Sequence, residues 1–283
     1  MRRDDPDTLQ FDWMLRLISR NFTVLPLGKA VERLKSGTLP AAAACITFDD
    51  GYKDNLTVAL PLLRRYGLFA TFFVAAGFLD GGRMWNDDII EAIRLSPAGL
   101  LDWSEFELGR HDLASDDHRR ATIAAVLGKL KYAPHDQRAR AAREIARRAG
   151  VEDASDLMMT ADEVRSLRAA GMEIGGHTWS HPILNSVGDD EAYSEIVRGK
   201  TELEAILREN INLFAYPNGN PERDFSPKHV AMIREAGFAA AVTTERGVGK
   251  SDSDPLLIPR FTPWDRTPLR FAARCALAVA GRI

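Results

Sequence analysis

Asp49 and Asp50 stand side by side at the end of an apolar run, Ala41 to Phe48, and Gly51 and Tyr52 follow at once. Such a run reads as a buried strand. A strand does not carry adjacent carboxylates for stability, because a desolvated carboxylate is costly unless paired or bound to metal. Two side by side repel, which raises one pKa and leaves the other group ionised. The pair suits one metal ligand and one general base. A plainer use is a helix N-cap, with Asp50 capping the segment from Tyr52. Further along, His177 and His181 stand four apart behind Gly175 and Gly176, after a second predicted strand, Met172 to Gly175. On a helical turn such residues share a face and reach one ion, and Pro182 fits the first turn of a following helix. Solvated loop histidines are the alternative, disfavoured because two of the chain's six histidines fall in this one window. With Asp50 they make a two-His-one-carboxylate set, although spacing does not say which aspartate is the ligand. A divalent metal held there would acidify a bound water and polarise a carbonyl oxygen. Zinc is the first expectation for this donor set, with cobalt, nickel or iron also compatible.

Thr47-Phe48-Asp49-Asp50-Gly51 and His177-Thr178-Trp179-Ser180-His181 resemble the first two signature motifs of the polysaccharide deacetylases, the NodB-homology group or carbohydrate esterase family four. The resemblance spans residues 41 to 262, interrupted by an insertion. It implies a distorted (β/α) barrel, a hydrolase of non-peptide carbon–nitrogen bonds and an acetylated glycan of GlcNAc type as substrate. It also implies that Asp49 is the base and Asp50 the ligand. The third motif is matched by Phe214-Ala215-Tyr216-Pro217-Asn218-Gly219. There the resemblance places an oxyanion-binding N–H at Asn218, with Tyr52, Tyr216 and Pro217 as substrate contacts. Two departures stand out. The family's arginine before the proline is Ala215 here, and Arg260, in Ile258-Pro259-Arg260-Phe261, is either its substitute or a surface strand-end residue. No histidine follows His229, and His111, His118 and His135 lie in no motif, so the leaving amine has no assigned proton donor unless Asp49 returns its own proton. The same motifs would serve a sugar O-acetyl esterase, or a catalytically weak glycan-binding protein on the same fold. A phosphatase or nuclease is disfavoured, since no Gly-rich phosphate loop accompanies the ligands.

The elements that must deliver these residues read as an α/β chain. Helices are expected over 8–21, 27–34, 56–66 (with Pro61 a source of a kink), 189–208, 226–236 and 267–279. Strands are expected over 70–75, 211–216, 239–243 and 256–261, besides the two already named. Thr160-Ala161-Asp162-Glu163 is a capping box. Strand and helix alternate, which points to a single domain built on a parallel barrel with its chemistry at the C-terminal strand ends. Residues 86–158 interrupt that rhythm and read as a helical insertion, with helices at 88–95, 116–130 and 135–149. Arg140 and Arg148 are spaced to pair with Glu144. At the insertion's start, Asp87 or Asp88 would cap a helix, and Trp85 could instead form a sugar-stacking lip.

A net charge of -3 gives no general affinity for nucleic acid. Cys45 and Cys275 form no disulfide framework, and Cys45 reads as a core residue. No run is long enough to span a membrane, and the charged start, Met1 to Asp7, is no signal peptide. The chain as written is expected in the cytoplasm, in an oligomeric state the sequence does not give.

Overall fold

The computed structural model describes residues 7–151 and 157–281. Met1 to Pro6, most of the charged start, lie outside the described residues. The described residues divide into two compact units, one formed by 81–151 with 157 and the other by 7–80 with 158–281.

The larger unit opens with α1 (Thr8–Asn21), whose first turn is capped by the Asp7 carboxylate accepting from the Gln10 N–H at 2.7 Å. Then come β1 (Thr23–Val24), α2 (Leu27–Lys35), β2 (Ala43–Ala44), β3 (Thr47–Phe48), α3 (Leu60–Arg65) and β4 (Thr71–Val74). The smaller unit holds α4 (Trp85–Leu95), an antiparallel hairpin of β5 (Leu100–Trp103) and β6 (Gly109–Asp112), α5 (Asp116–Leu130) and α6 (His135–Arg148). The larger unit resumes with α7 (Ala161–Ala169), β7 (Glu173–Gly176), α8 (Asp189–Leu207), β8 (Leu213–Ala215), α9 (Pro227–Glu235), β9 (Ala240–Arg246), β10 (Ile258–Arg260) and α10 (Pro268–Val279).

Six strands make one parallel sheet in the order β10-β9-β8-β7-β4-β3, curled into a half-barrel. Its two faces follow the period-two alternation of strand side chains. Phe72, Val74, Phe214 and Ala241 pack outward against Leu63, Val164, Ile196 and Ile233 of the helices. Phe73, Leu213, Ala215, Ala240, Val242 and Ile258 point the other way and pack with Leu27 and Val31 of α2. The start of α2 is tied to the first residue of β7: the Gly28 N–H reaches the Glu173 carboxylate at 3.2 and 3.3 Å, and the Thr71 hydroxyl donates to Glu173 at 2.7 Å. That contact lies at the N-terminal end of β4 and β7, opposite the strand ends from which the loops leave.

The parallel α/β architecture agrees with the sequence reading, and four local readings change. The run from Ala41 to Phe48 is not one buried strand. It breaks at Cys45 and Ile46: β2 pairs with β1 in a separate ribbon and β3 joins the main sheet, and residues 42–48 are only half-buried. Its alanines bring little strand preference, and Ala42 adopts a φ of 50°. The helix expected from Leu56 instead starts with a wider π-helical turn, Asn55–Ala59, in which the Leu60 N–H reaches the Asn55 carbonyl, and Pro61 falls in the first turn of α3. In the smaller unit α4 begins at Trp85, so Asp87 and Asp88 lie buried in its first turn rather than at its N-cap, which is Met84. Glu144 makes the expected pair with Arg148, and its second partner is Arg147 in place of Arg140. The β5–β6 hairpin was not foreseen, because four-residue strands leave almost no periodic signal. The Thr160–Glu163 capping box forms as expected. Among the described residues no helix is long and apolar enough to cross a membrane.

Candidate metal centre and active site

Asp49 and Asp50 leave the C-terminal end of β3, and the His177–His181 loop leaves that of β7, with β4 hydrogen-bonded between the two strands. The chain turns sharply after β3. Asp50 has a φ of 80° and Gly51 one of 95°, and a Cβ at Gly51 would sit 3.0 Å from Val74 Cγ1. Glycine is therefore required there. The turn brings Asp50 Oδ1 to 3.4 Å from His177 Nε2 and 3.3 Å from His181 Nε2. The three ligand atoms lie within 4.8 Å of one another.

The histidines do not share a helical turn, and Pro182 starts no helix; a 3-10 turn follows only at Leu184–Ser186. Left-handed backbone at Thr178 (φ 63°) and His181 (φ 56°) folds the loop back instead, so that the two rings meet with centroids 4.7 Å apart. The Thr178 hydroxyl holds the fold-back, donating to the His177 carbonyl at 2.5 Å and accepting from the His181 N–H at 3.1 Å. Each left-handed non-glycine residue costs about 1–3 kcal/mol and needs such support.

His177 is fully buried, and its Nδ1 lies 2.7 Å from the Ala215 carbonyl oxygen. A carbonyl only accepts, so Nδ1 carries the hydrogen and Nε2 faces Asp50. A neutral His177 thus presents a lone pair to a carboxylate, an approach made favourable by a proton or a metal cation between them. Burial disfavours charge on this ring, but the Asp50 hydrogen bond and the Asp49 and Asp50 charges outweigh it and raise its pKa. The three donors fit a divalent ion on geometry, donor chemistry and field.

Asp49 is not one of the three donors of this triangle; it is gripped by Arg260. Arg260 Nη1 and Nη2 donate to the two carboxylate oxygens, each at 2.8 Å. Arg260 is itself held by Nη1 donating to the Thr47 hydroxyl at 3.0 Å and Nε donating to the Thr243 carbonyl at 2.9 Å. Burial pushes the Asp49 carboxyl up, but the Arg260 charge and hydrogen bonds prevail and hold it below the usual carboxylate range. Arg260 is not a loose strand-end arginine.

The remaining expected residues are placed unevenly. Tyr216 does not offer its ring to a ligand. It is buried, stacks on Phe225 at 3.8 Å and donates its hydroxyl to the Leu256 carbonyl at 3.1 Å. Pro217 is buried, and its carbonyl accepts from the Gly219 N–H at 2.7 Å. Asn218 adopts a φ of 59°, and its carbonyl accepts from the Thr244 hydroxyl at 2.6 Å. Among the described residues none accepts a hydrogen bond from the Asn218 N–H. Tyr52 is half-buried and forms an isolated bridge with Met158. Trp85 belongs to the smaller unit, where the Arg138 guanidinium lies 4.9 Å over its ring. His229 is buried as the third helical residue of a capping box, its Nδ1 accepting from the Ser226 N–H at 3.0 Å. Sequence reading missed Thr47, the Thr178 hydroxyl and the Thr243 carbonyl. The two threonines lie inside the motifs, where their hydroxyls were the available signal; a backbone carbonyl leaves none.

A family model described as polysaccharide deacetylase matches residues 36–102 and 115–241. The chain is 20% identical over 207 residues to YxkH of Bacillus subtilis strain 168, a candidate polysaccharide deacetylase. The match covers 73% of this chain and 46% of YxkH, so the chain spans about half the length of that curated relative. Among solved structures, the Streptococcus pyogenes deacetylase PplD in complex with acetate superimposes with a TM-score of 0.59 at 19% identity, covering 90% of this chain and 80% of that one. IcaB from Ammonifex degensii gives a TM-score of 0.62 at 17% identity, covering 98% and 94%. At these identities the structural likeness is one of fold.

Proposed function

The chain belongs to the polysaccharide deacetylase family, and from that premise we propose that it is a divalent-metal-dependent hydrolase removing N-acetyl groups from GlcNAc-type sugars of a poly- or oligosaccharide. The observation that carries the reading is the bidentate Arg260–Asp49 pair standing beside the Asp50, His177 and His181 triangle. An ionised, oriented carboxylate next to a cation site is what hydrolysis of an unactivated amide needs.

Asp50, His177 and His181 would hold the ion, zinc first on donor type, with cobalt, nickel or iron also compatible. When bound, the ion supplies Lewis-acid polarisation and a more acidic water. Asp49 takes a proton from the attacking water, and Arg260 keeps both its oxygens aimed. The oxygen adds to the acetyl carbon, and the Asn218 N–H meets the carbonyl oxygen as charge grows on it. The carbon–nitrogen bond then breaks, Asp49 returns the proton to the leaving nitrogen, and acetate and a free amine result. This return removes the need for a late histidine.

The test is acetate release from a panel of N-acetylated and O-acetylated sugars, using protein stripped with chelator and reloaded with zinc or cobalt. Release from the N-acetyl sugars should require metal and fall by about 10²–10⁴ in Asp49→Asn. Release from O-acetyl sugars alone would make the enzyme an esterase with the same machinery. Stoichiometric metal binding without any release would favour a glycan-binding role.

A further inference from the structure

We propose that Glu195, on α8, is a positioning residue of the metal centre: it fixes the backbone between the two histidine ligands and so sets their spacing. The proposal rests on the reading of Asp50, His177 and His181 as metal ligands. Glu195 Oε2 accepts from two successive loop N–H groups, those of Trp179 at 3.1 Å and Ser180 at 2.7 Å. Its Oε1 accepts from the Ser180 hydroxyl at 2.9 Å. One carboxylate thus takes three hydrogen bonds from two of the three residues between His177 and His181.

The loop has reason to need this grip. Thr178 and His181 both adopt left-handed backbone without being glycine, so the segment does not hold its shape by local preference. The Thr178 hydroxyl ties the two ends of the turn together, while the N–H groups of Trp179 and Ser180 point toward α8, where the Glu195 carboxylate receives them. Successive N–H groups in such a turn make an anion-receiving concavity, and Glu195 supplies the anion from within the chain.

The rest of α8 is shaped to bring that carboxylate close. Gly199, one helical turn on, lies against the loop, and a Cβ there would come within 2.5 Å of the Thr178 carbonyl. Arg198 stacks on the Trp179 ring at 3.7 Å. On the loop's other side the Gly77 N–H donates to the Trp179 carbonyl at 2.8 Å, and a Cβ on Gly77 would sit 2.7 Å from that oxygen. Trp179 and Ser180 are therefore held from α8 and from the turn after β4. Outer contacts of this kind orient metal ligands and tune the affinity of the site.

The experiment compares Glu195→Ala, Glu195→Gln, Ser180→Ala and His181→Ala with the unaltered chain. Zinc affinity is read by competition with a chromogenic chelator, ligand geometry by the visible spectrum of the cobalt form, and folding by the thermal midpoint of the metal-free protein. Glu195→Ala should bind zinc about 10–100-fold more weakly and shift the cobalt bands, with its metal-free midpoint near that of the parent. Glu195→Gln and Ser180→Ala, which keep part of the contact, should fall between parent and Glu195→Ala. If Glu195→Ala does not fold, that graded loss in the two milder variants carries the test. Parental zinc affinity and cobalt spectrum in all three would overturn the role of Glu195 while leaving the metal site standing, provided His181→Ala loses zinc. A parent chain that binds no zinc or cobalt would overturn both.

Discussion

Arg260 holds the carboxylate that the proposed chemistry depends on, and a single substitution there has a directional consequence. Asp49 sits below the usual carboxylate range because the guanidinium outweighs its burial. A base works above its pKa, so the acid limb of activity should lie low while Arg260 is present. In Arg260→Met burial and the Asp50 charge are opposed only by the weaker pull of His177, the Asp49 pKa rises, and the acid limb of kcat/KM should move to higher pH. The plateau should fall by about 10–100-fold from lost orientation, or roughly 1.4–2.7 kcal/mol. A pH–rate profile matching the parent in shape would refute the role. At this scale the sequence was informative where the chemistry was local. Asp49 with Asp50, and His177 with His181, announce themselves within a few residues. Arg260 lies 211 positions from Asp49, and nothing near either residue says that they meet, so two uses of Arg260 stayed open. Tyr216 was misread although a signal existed: it is two residues from Phe214, hence on the same core-facing side of the chain, and the two rings touch with centroids 5.3 Å apart.

Among the elements, α8 bears most directly on the site. Its buried Gly199 is a poor helix former, tolerated because the His177–His181 loop occupies the space where a side chain would go. Gly199→Ala would gain about 1 kcal/mol of helix propensity and lose more, because the clash is with backbone that cannot turn aside. We expect the variant to melt lower than the parent by several degrees and to bind zinc more weakly. Calorimetry with and without zinc checks both, and a variant as stable as its parent would show that the loop yields. The long amphipathic α8 was legible from periodicity, and so was the capping box ahead of α7. What the glycine on α8 was for was not legible, since a glycine in a helix pattern says only that something comes close. The split of the Ala41–Phe48 run was hidden for a related reason: hydrophobicity marks a strand, but pairing partners decide where it ends.

On the scale of the whole sheet, the first and last strands in the order, β3 and β10, are its two free edges. Arg260 on β10 reaches Thr47 on β3 and Asp49 just beyond it, so side chains link edges that no backbone ladder joins among the described residues. Losing that link should loosen β10 before the centre of the sheet. In Arg260→Met the amides of β10 and β3 are expected to exchange with solvent at least tenfold faster, with β4 and β7 nearly unchanged. Uniform exchange across all six strands would mean that the link carries no structural role. The parallel sheet was readable from the strand–helix rhythm. How its edges meet was not, because Arg260 and Thr47, which link them, stand 213 positions apart.

That contact also constrains how the protein can change. A residue that orients the proposed base and joins the sheet's edges cannot be exchanged for gain in one respect without cost in the other. A second-site suppressor selected for restored melting temperature in an Arg260 variant should therefore return the fold and leave turnover impaired. Rescue of turnover would require a new cation brought to Asp49, from whichever strand can reach it.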